Sequence, residues 1–426
     1  MVWVALIAAV FLCGQVLRRL GQMPDDRLPP LHAAGRLPTW ELLPAAMVAA
    51  GAVMALPVLI HRLRWRLALA AAWAVAAGWT VALAAADGGA GFTRPLTAPG
   101  EYFAGLGVVR ADLEQWLRTF TEALTTYPTH VAGHPPLPMV MLWALDRIGF
   151  AGPGWAAAAL IAVGSSAVVA IAVTVKVLAG AATARRALPF LALAPFAVWV
   201  ATSMDALFLG VGAWATALLA LAAGTRNPIG LRVSLAFGSG LLLGALPYLS
   251  YGLLPLFAVP AAVLALTRPR WPVIAVLLGG ATIIPILFTR AGFWWPDGVA
   301  ATHDAYLITG GSHRRSYLYF LIGDLAVLGL MVGPAAACAV PHLVRAWRRI
   351  RSSPPAGLAM VVGAALIGVA ALDLSGVTRG EVERIWLPYA GWVLAAAALH
   401  RLPARRWLAG QALIGLAIQG LTLSNW

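Results

Sequence analysis

Charge is what this sequence has least of. Charged residues make up 11% of the 426-residue chain and hydrophobic ones 61%, where a soluble domain carries roughly 25% and 45–50%. That excludes a soluble enzyme, a secreted disulfide scaffold and a disordered chain. Cysteine is scarce as well. Cys13 and Cys338 each lie alone inside an apolar run, as packing residues do, so neither a redox pair nor a thiolate metal site is expected. Lysine is nearly missing: Lys176 is the only lysine among 30 basic residues, a bias expected of GC-rich coding. No basic stretch precedes the apolar run 2–17, so that run reads as a first span and not as a cleavable leader. No phosphate-cradling glycine loop is present, which argues against a nucleotide site.

What is present is apolar length. Thirteen runs are long enough to span a bilayer: 2–17, 44–60, 67–86, 152–179, 187–203, 206–223, 231–248, 251–266, 271–288, 317–341, 356–374, 386–400 and 407–423. The expectation is an all-α polytopic membrane protein of about 13 transmembrane helices, residues 1–426 forming one transmembrane domain without a separate soluble part. The net charge of +14 does not point to nucleic acid, because the arginines sit in short clusters between apolar runs. With Asp87 taken as outside, Arg62/Arg64/Arg66, Arg185/Arg186, Arg226/Arg232, Arg268/Arg270, Arg345/Arg348/Arg349/Arg351 and Arg401/Arg405/Arg406 all fall inside. None of the 16 acidic residues falls in those loops. Chemistry that needs carboxylates therefore belongs to the outer side or to the spans. Arg18, Arg19, Arg27 and Arg36 run against the pattern, between the first two spans. Either that hairpin threads differently or those arginines bind something.

Three outer segments follow: a long loop over 87–153, a second over 289–316 and a short charged one over 375–385. The first holds helix-like stretches at 109–124 and 135–150. The latter has Leu137, Val140, Met141, Leu145 and Ile148 on one face, too short to span, and reads as a helix lying on the membrane surface. Asp87 ends an apolar helix before a glycine and is either a boundary carboxylate or a general base. His134 opens GHPPL and is either a polar helix entry or a headgroup contact. With His130 it also makes a weak zinc pair lacking a third ligand. Asp205 is either a helix N-cap or a carboxylate on Asp87's face. Glu381, Glu383 and Arg384 are either a solvated loop or a phosphate-capturing set in which Glu383 orients Arg384. His313, Arg314 and Arg315 suit an anionic headgroup. Asp324 lies within a span, where a helix–helix hydrogen bond is the plainer account. A divalent ion could be held by Glu381/Glu383 or by His303/Asp304/His313; no cofactor is otherwise called for.

In order along the chain, an outward helix ends in Asp87, and a surface helix begins at His134–Pro135–Pro136–Leu137. A span junction carries Asp205, and a late span begins Arg384–Ile385–Trp386–Leu387–Pro388. This set resembles the GT-C superfamily of polyprenyl-phosphate-dependent glycosyltransferases, closest to its protein O-mannosyltransferase and aminoarabinose transferase group, here as an integral membrane protein of actinobacterial type. The likeness covers residues 67–225 and the late motif. It departs in having two spans before the Asp87 helix, Gly88 after Asp87, Ile-Trp in the late motif and no terminal soluble domain.

The resemblance implies an inverting transferase, hexosyl- or pentosyl- (mannosyl- or arabinosyl-), at the outer face of a bacterial plasma membrane. The donor would be a polyprenyl-phosphate sugar in the membrane lipid, and the acceptor a hydroxyl of a glycan, lipid or protein. Asp87 would be the base, with His134 beside it; Arg384, Arg314, Arg315 and His313 would hold the donor phosphate; Asp205, Glu383 and Glu381 would support them. The rival readings are a transporter or lipid flippase, a non-catalytic scaffold, and an acyl or phosphoryl transferase using His130 and His134.

Overall fold

The computed structural model describes residues 2–23, 26–201, 203–224, 227–309, 315–348, 355–400 and 404–424. Among these, nine helices are long and apolar enough to cross a membrane: Val2–Arg19, Trp40–Arg62, Trp65–Ala85, Pro153–Ala179, Asp205–Ala223, Ile229–Leu249, Trp271–Arg290, Tyr317–Trp347 and Ala356–Ser375. The chain is a multi-pass membrane protein.

The expected thirteen spans differ from these nine at four places, each with a local cause. The run 187–203 stops being helical at Ala192 and continues as a 3-10 turn over Pro195–Trp199. The run 251–266 is a 3-10 stretch with Pro255 inside it before the ten-residue helix Ala258–Thr267. The run 386–400 is the eight-residue helix Leu387–Leu394 followed by a 3-10 turn. The last run is a helix, Ala404–Leu421, but Arg405, Arg406, Gln411 and Gln419 make it less apolar. Proline removes an amide donor and crowds the preceding turn, so apolar runs that contain it need not be single helices.

Small residues let the helices approach closely, as lipid-embedded packing requires. A side chain at Gly240 or Gly244 would collide with the backbone of Leu277 and Ala281, and one at Gly280 with that of Phe237. Gly164 and Gly210 do the same service between Pro153–Ala179 and Asp205–Ala223. The long helix Tyr317–Trp347 breaks at Gly333, whose φ is 68°, just before Pro334. Gln411 repairs the break, accepting from the Ala335 amide at 3.1 Å and donating to the Val332 carbonyl at 2.8 Å. Backbone groups freed inside a membrane helix need such a partner.

Two helices lie deepest. Asp205–Ala223 is the most enclosed of the nine, at 78% buried, and every residue of Leu387–Leu394 is buried. They pack on each other, so whatever stands at their starts is brought together. At the same end, strand Ala33–Gly35 pairs antiparallel with Thr422–Ser424 and ties the first hairpin to the last helix. In the first long loop the structure has helices Tyr102–Ala111, Leu113–Arg118 and Leu137–Arg147. The single helix expected over 109–124 breaks because Asp112 is extended and caps the next turn through the Gln115 amide. The second loop holds a helix over Trp295–Thr309.

Candidate functional site

Asp205 is the first residue of the most enclosed helix, and Arg384 stands just before the fully buried Leu387–Leu394. Their side chains pair at 3.2 Å, with 7% and 10% of each exposed. Asp205 is not the N-cap expected from sequence. Met204 holds that position, while Ser203 donates to Asp205 and accepts its amide proton. The other arm of the guanidinium meets Glu381 at 3.3 Å. Glu381 sits at the left-handed turn that opens the short helix Val382–Ile385, and that turn aims its carboxylate at Arg384, three residues on. Glu383 instead accepts from the His32 amide at 2.9 Å.

The network runs on through Arg315, which reaches Glu381 at 3.3 Å, the Arg379 carbonyl at 2.9 Å and Asp26 at 3.1 Å. His32 Nδ1 lies 3.2 Å from Asp26. Burial opposes charge on this ring, but Asp26, with Glu381 and Glu383 behind it, outweighs burial and raises His32 above its usual value. Burial likewise pushes Glu381 toward neutrality, and Arg384 and Arg315 more than reverse it, so its carboxyl sits low. Glu381 has φ 61°, a left-handed backbone that costs a non-glycine residue about 1 kcal/mol or more. Its two arginines and the bond from the Gly380 amide to buried Asp324 hold it there. The partner of Asp324 is thus a loop amide, not the neighbouring helix expected from sequence.

A second group faces this network from the first long loop. His130 Nε2 is 3.2 Å from Glu101 Oε1. His134 Nδ1 is 2.9 Å from the His130 carbonyl, and the Tyr102 ring lies 6.1 Å and 5.8 Å from the two histidine rings. Burial drives His134 down to about 4; nearby Asp205 opposes the shift and Arg384 adds to it. His130 is driven well below its usual value by burial and then by Arg384. Both rings are therefore neutral at pH 7. A carbonyl only accepts, so His134 carries its proton on Nδ1 and presents a lone pair at Nε2. It can receive a hydroxyl there but cannot act as a cation. Burial, with Asp205 and Glu381 adding to it and Arg384 opposing, raises Glu101 to about 7.

Asp87 has separate surroundings. One oxygen accepts from Arg36 and the other from Gln419 at 3.0 Å. Arg36 also donates to the Gln419 carbonyl. Asp87 borders a polar cavity also lined by Gly91, Arg94, Gln419, Thr422 and Ser424. Of the four arginines of the first hairpin, Arg36 binds a carboxylate of the chain itself.

The residues singled out from sequence thus divide. Asp205, Glu381, Glu383, Arg384 and Arg315 join one network, and His134 faces it. Asp87 stands in the second set of contacts. His313 and Arg314 lie outside the described residues. His303 and Asp304 are exposed on the Trp295–Thr309 helix. Among the described residues no three of histidine, cysteine, aspartate and glutamate converge as a metal-binding set. The sequence reading passed over Asp26, His32, Glu101 and Tyr102. One signal for Glu101 was available: an acidic residue opening an apolar helix, close before the two histidines.

No family model matches the chain, and no curated protein matches it. Among solved structures it is similar to the crystal structure of ArnT from Cupriavidus metallidurans in the apo state, with 21% identity and a TM-score of 0.45. The likeness covers 67% of this chain and 52% of that one, so the chain spans about half the length of the structure it matches.

Proposed function

We propose that the chain is an inverting glycosyltransferase of the GT-C kind, moving a sugar from a polyprenyl-phosphate donor to an acceptor hydroxyl at the outer face of a bacterial plasma membrane. One observation carries this reading. The Asp205–Arg384 pair sits where the two most buried helices begin, at the end of the bundle that also holds His134 and its loop. The motif order His134–Pro135–Pro136–Leu137, Asp205 and Arg384–Ile385–Trp386–Leu387–Pro388 supports it.

The donor brings its own leaving group. The phosphate departs with two negative charges, and a preorganised cation lowers that barrier. Arg384 and Arg315, held by Asp205, Glu381 and Asp26, supply the guanidinium charge for it. Arg314 and His313 adjoin Arg315 in sequence and belong to the same phosphate set in this reading. His134 Nε2 accepts a sugar hydroxyl. Asp205, Glu381 and Glu383 hold the arginines and the loop in place. Asp87, with Arg94 and Gln419, lines a small polar cavity with room for one acceptor hydroxyl.

The test is turnover. Purified protein in liposomes is given polyprenyl-phosphate mannose and polyprenyl-phosphate arabinose, and released polyprenyl phosphate is measured. The expected result is release that depends on the acceptor, with Arg384→Lys raising the donor KM about tenfold or more, since a point charge replaces a fork. If neither donor is cleaved while a labelled polyprenyl-phosphate lipid crosses the bilayer, the transferase reading fails and the flippase reading replaces it.

A further inference from the structure

We propose that Glu101 is the catalytic carboxylate that takes the acceptor's proton, and that His130 is the positioning residue that holds it. The inference rests on the transferase reading. In the step, the acceptor oxygen forms a bond to the anomeric carbon. The bond from that carbon to the phosphate oxygen breaks, its electron pair leaves with polyprenyl phosphate, and the acceptor's proton moves to Glu101. Glu101 releases the proton to water before the next turnover.

The geometry comes first. Glu101 precedes the Tyr102–Ala111 helix with extended backbone, yet its side chain does not cap that helix. It turns to His130 Nε2 at 3.2 Å, with 14% and 12% of the two side chains exposed. The His130 amide donates to the Gly100 carbonyl at 2.9 Å, so backbone locks the two residues side by side. The charges facing Glu101 come from several elements: Arg384 and Glu381 from the late turn, Asp205 from its helix, and neutral His130 from the same loop.

The carboxylates of the two arginine networks are already committed. Asp205 and Glu381 hold Arg384, Asp26 holds Arg315, Glu383 holds the His32 amide, and both oxygens of Asp87 are taken by Arg36 and Gln419. Among the described residues no guanidinium touches Glu101. A base works best when its pKa lies near the operating pH, and burial brings Glu101 to about 7.

The experiment measures kcat, donor KM and the pH profile of the full chain in liposomes with the same two donors. Compared with the parent are Glu101→Gln, Glu101→Asp, His130→Asn and, as a surface control, Glu114→Gln. Glu101→Gln is expected to lower kcat about 10²–10⁴-fold, to leave donor KM unchanged and to abolish the acid limb near pH 7. Glu101→Asp keeps the charge and restores part of kcat; it also serves where the glutamine variant does not fold. His130→Asn moves the acid limb without removing it, which a purely structural role would not do. An infrared carboxyl band that titrates near neutrality should vanish in Glu101→Gln.

If the parent turns over while Glu101→Gln keeps its kcat and its acid limb, Glu101 is not the base and the transferase reading stands. Where Glu101→Gln does not fold, a kcat and acid limb in Glu101→Asp identical to the parent's, together with an unmoved acid limb in His130→Asn, would overturn it equally. If the parent cleaves neither donor, the transferase reading fails and this inference falls with it.

Discussion

Asp87 and Glu101 stand close in sequence, at the same end of the bundle, in opposite electrical company. Asp87 has a guanidinium on one oxygen and an amide on the other. Glu101 has a neutral histidine as its contact, and burial, with Asp205 and Glu381 adding to it and Arg384 opposing from further off, raises it to about 7. The first arrangement fixes a charge in place. The second leaves a charge uncomfortable and a proton welcome. Which carboxylate does proton chemistry is decided by its neighbours, not by its being acidic.

The largest expected effect separates the two in turnover. Glu101→Gln removes the proton acceptor. Asp87→Asn keeps the shape and the Gln419 contact and is expected to act mainly on acceptor KM, by about 10–100-fold, the size of one lost charged hydrogen bond. Steady-state kinetics with varied acceptor checks this. A collapse of kcat in Asp87→Asn with normal kcat in Glu101→Gln would exchange the two roles.

The next effect is on stability. Arg384→Ala leaves Asp205 and Glu381 buried without their cation, which costs about 3–5 kcal/mol for a buried pair. Thermal unfolding in detergent should show a large drop, and Asp205→Asn a smaller one. A melting temperature for Arg384→Ala equal to that of the parent would mean that this network does not hold the site together.

A third effect has opposite signs at two residues. Glu101 is raised from 4.5 to about 7, so the fold binds its proton more tightly than the unfolded chain. That group costs stability as pH rises from 4.5 through 7, up to about 3 kcal/mol. His134 is lowered from 6.5 to about 4, so its cost appears as pH falls across that window, with a similar limit of about 3 kcal/mol. Relative to the parent, Glu101→Gln should gain stability on the alkaline side and His134→Gln on the acid side. Denaturation at pH 4, 6 and 8 reads both. The same sign for both variants would refute the contrast.

The sequence made the scaffold readable wherever an apolar run was uninterrupted, and less so where proline cut it. Hydropathy cannot distinguish one long helix from a helix followed by a 3-10 turn, which is why the run 386–400 read as a single helix. The late motif was legible because arginine beside an apolar helix is conspicuous. Its true partner was harder to foresee, since Glu381 reaches Arg384 only because a left-handed residue starts that turn. Asp26 and His32 were not legible at all. They reach Arg315 and Glu383 across hundreds of residues through a hairpin pinned by strand pairing, and no local pattern encodes such a contact.

The smallest effect tests that hairpin. Arg36 and Asp87 are each about a fifth to a quarter exposed, so water screens their attraction, and the pair should contribute only about 1 kcal/mol. A double-mutant cycle with Arg36→Gln and Asp87→Asn measures that coupling directly. The value discriminates between two uses of the pair. A coupling near 1 kcal/mol leaves Arg36 exchangeable, so an acceptor hydroxyl can take its place on Asp87 at small cost. A coupling several times larger would make the pair a structural clamp joining the first hairpin to the Asp87 helix. Asp87 would then have no free valence for substrate, and the polar cavity beside it would lose its assignment as the acceptor's seat.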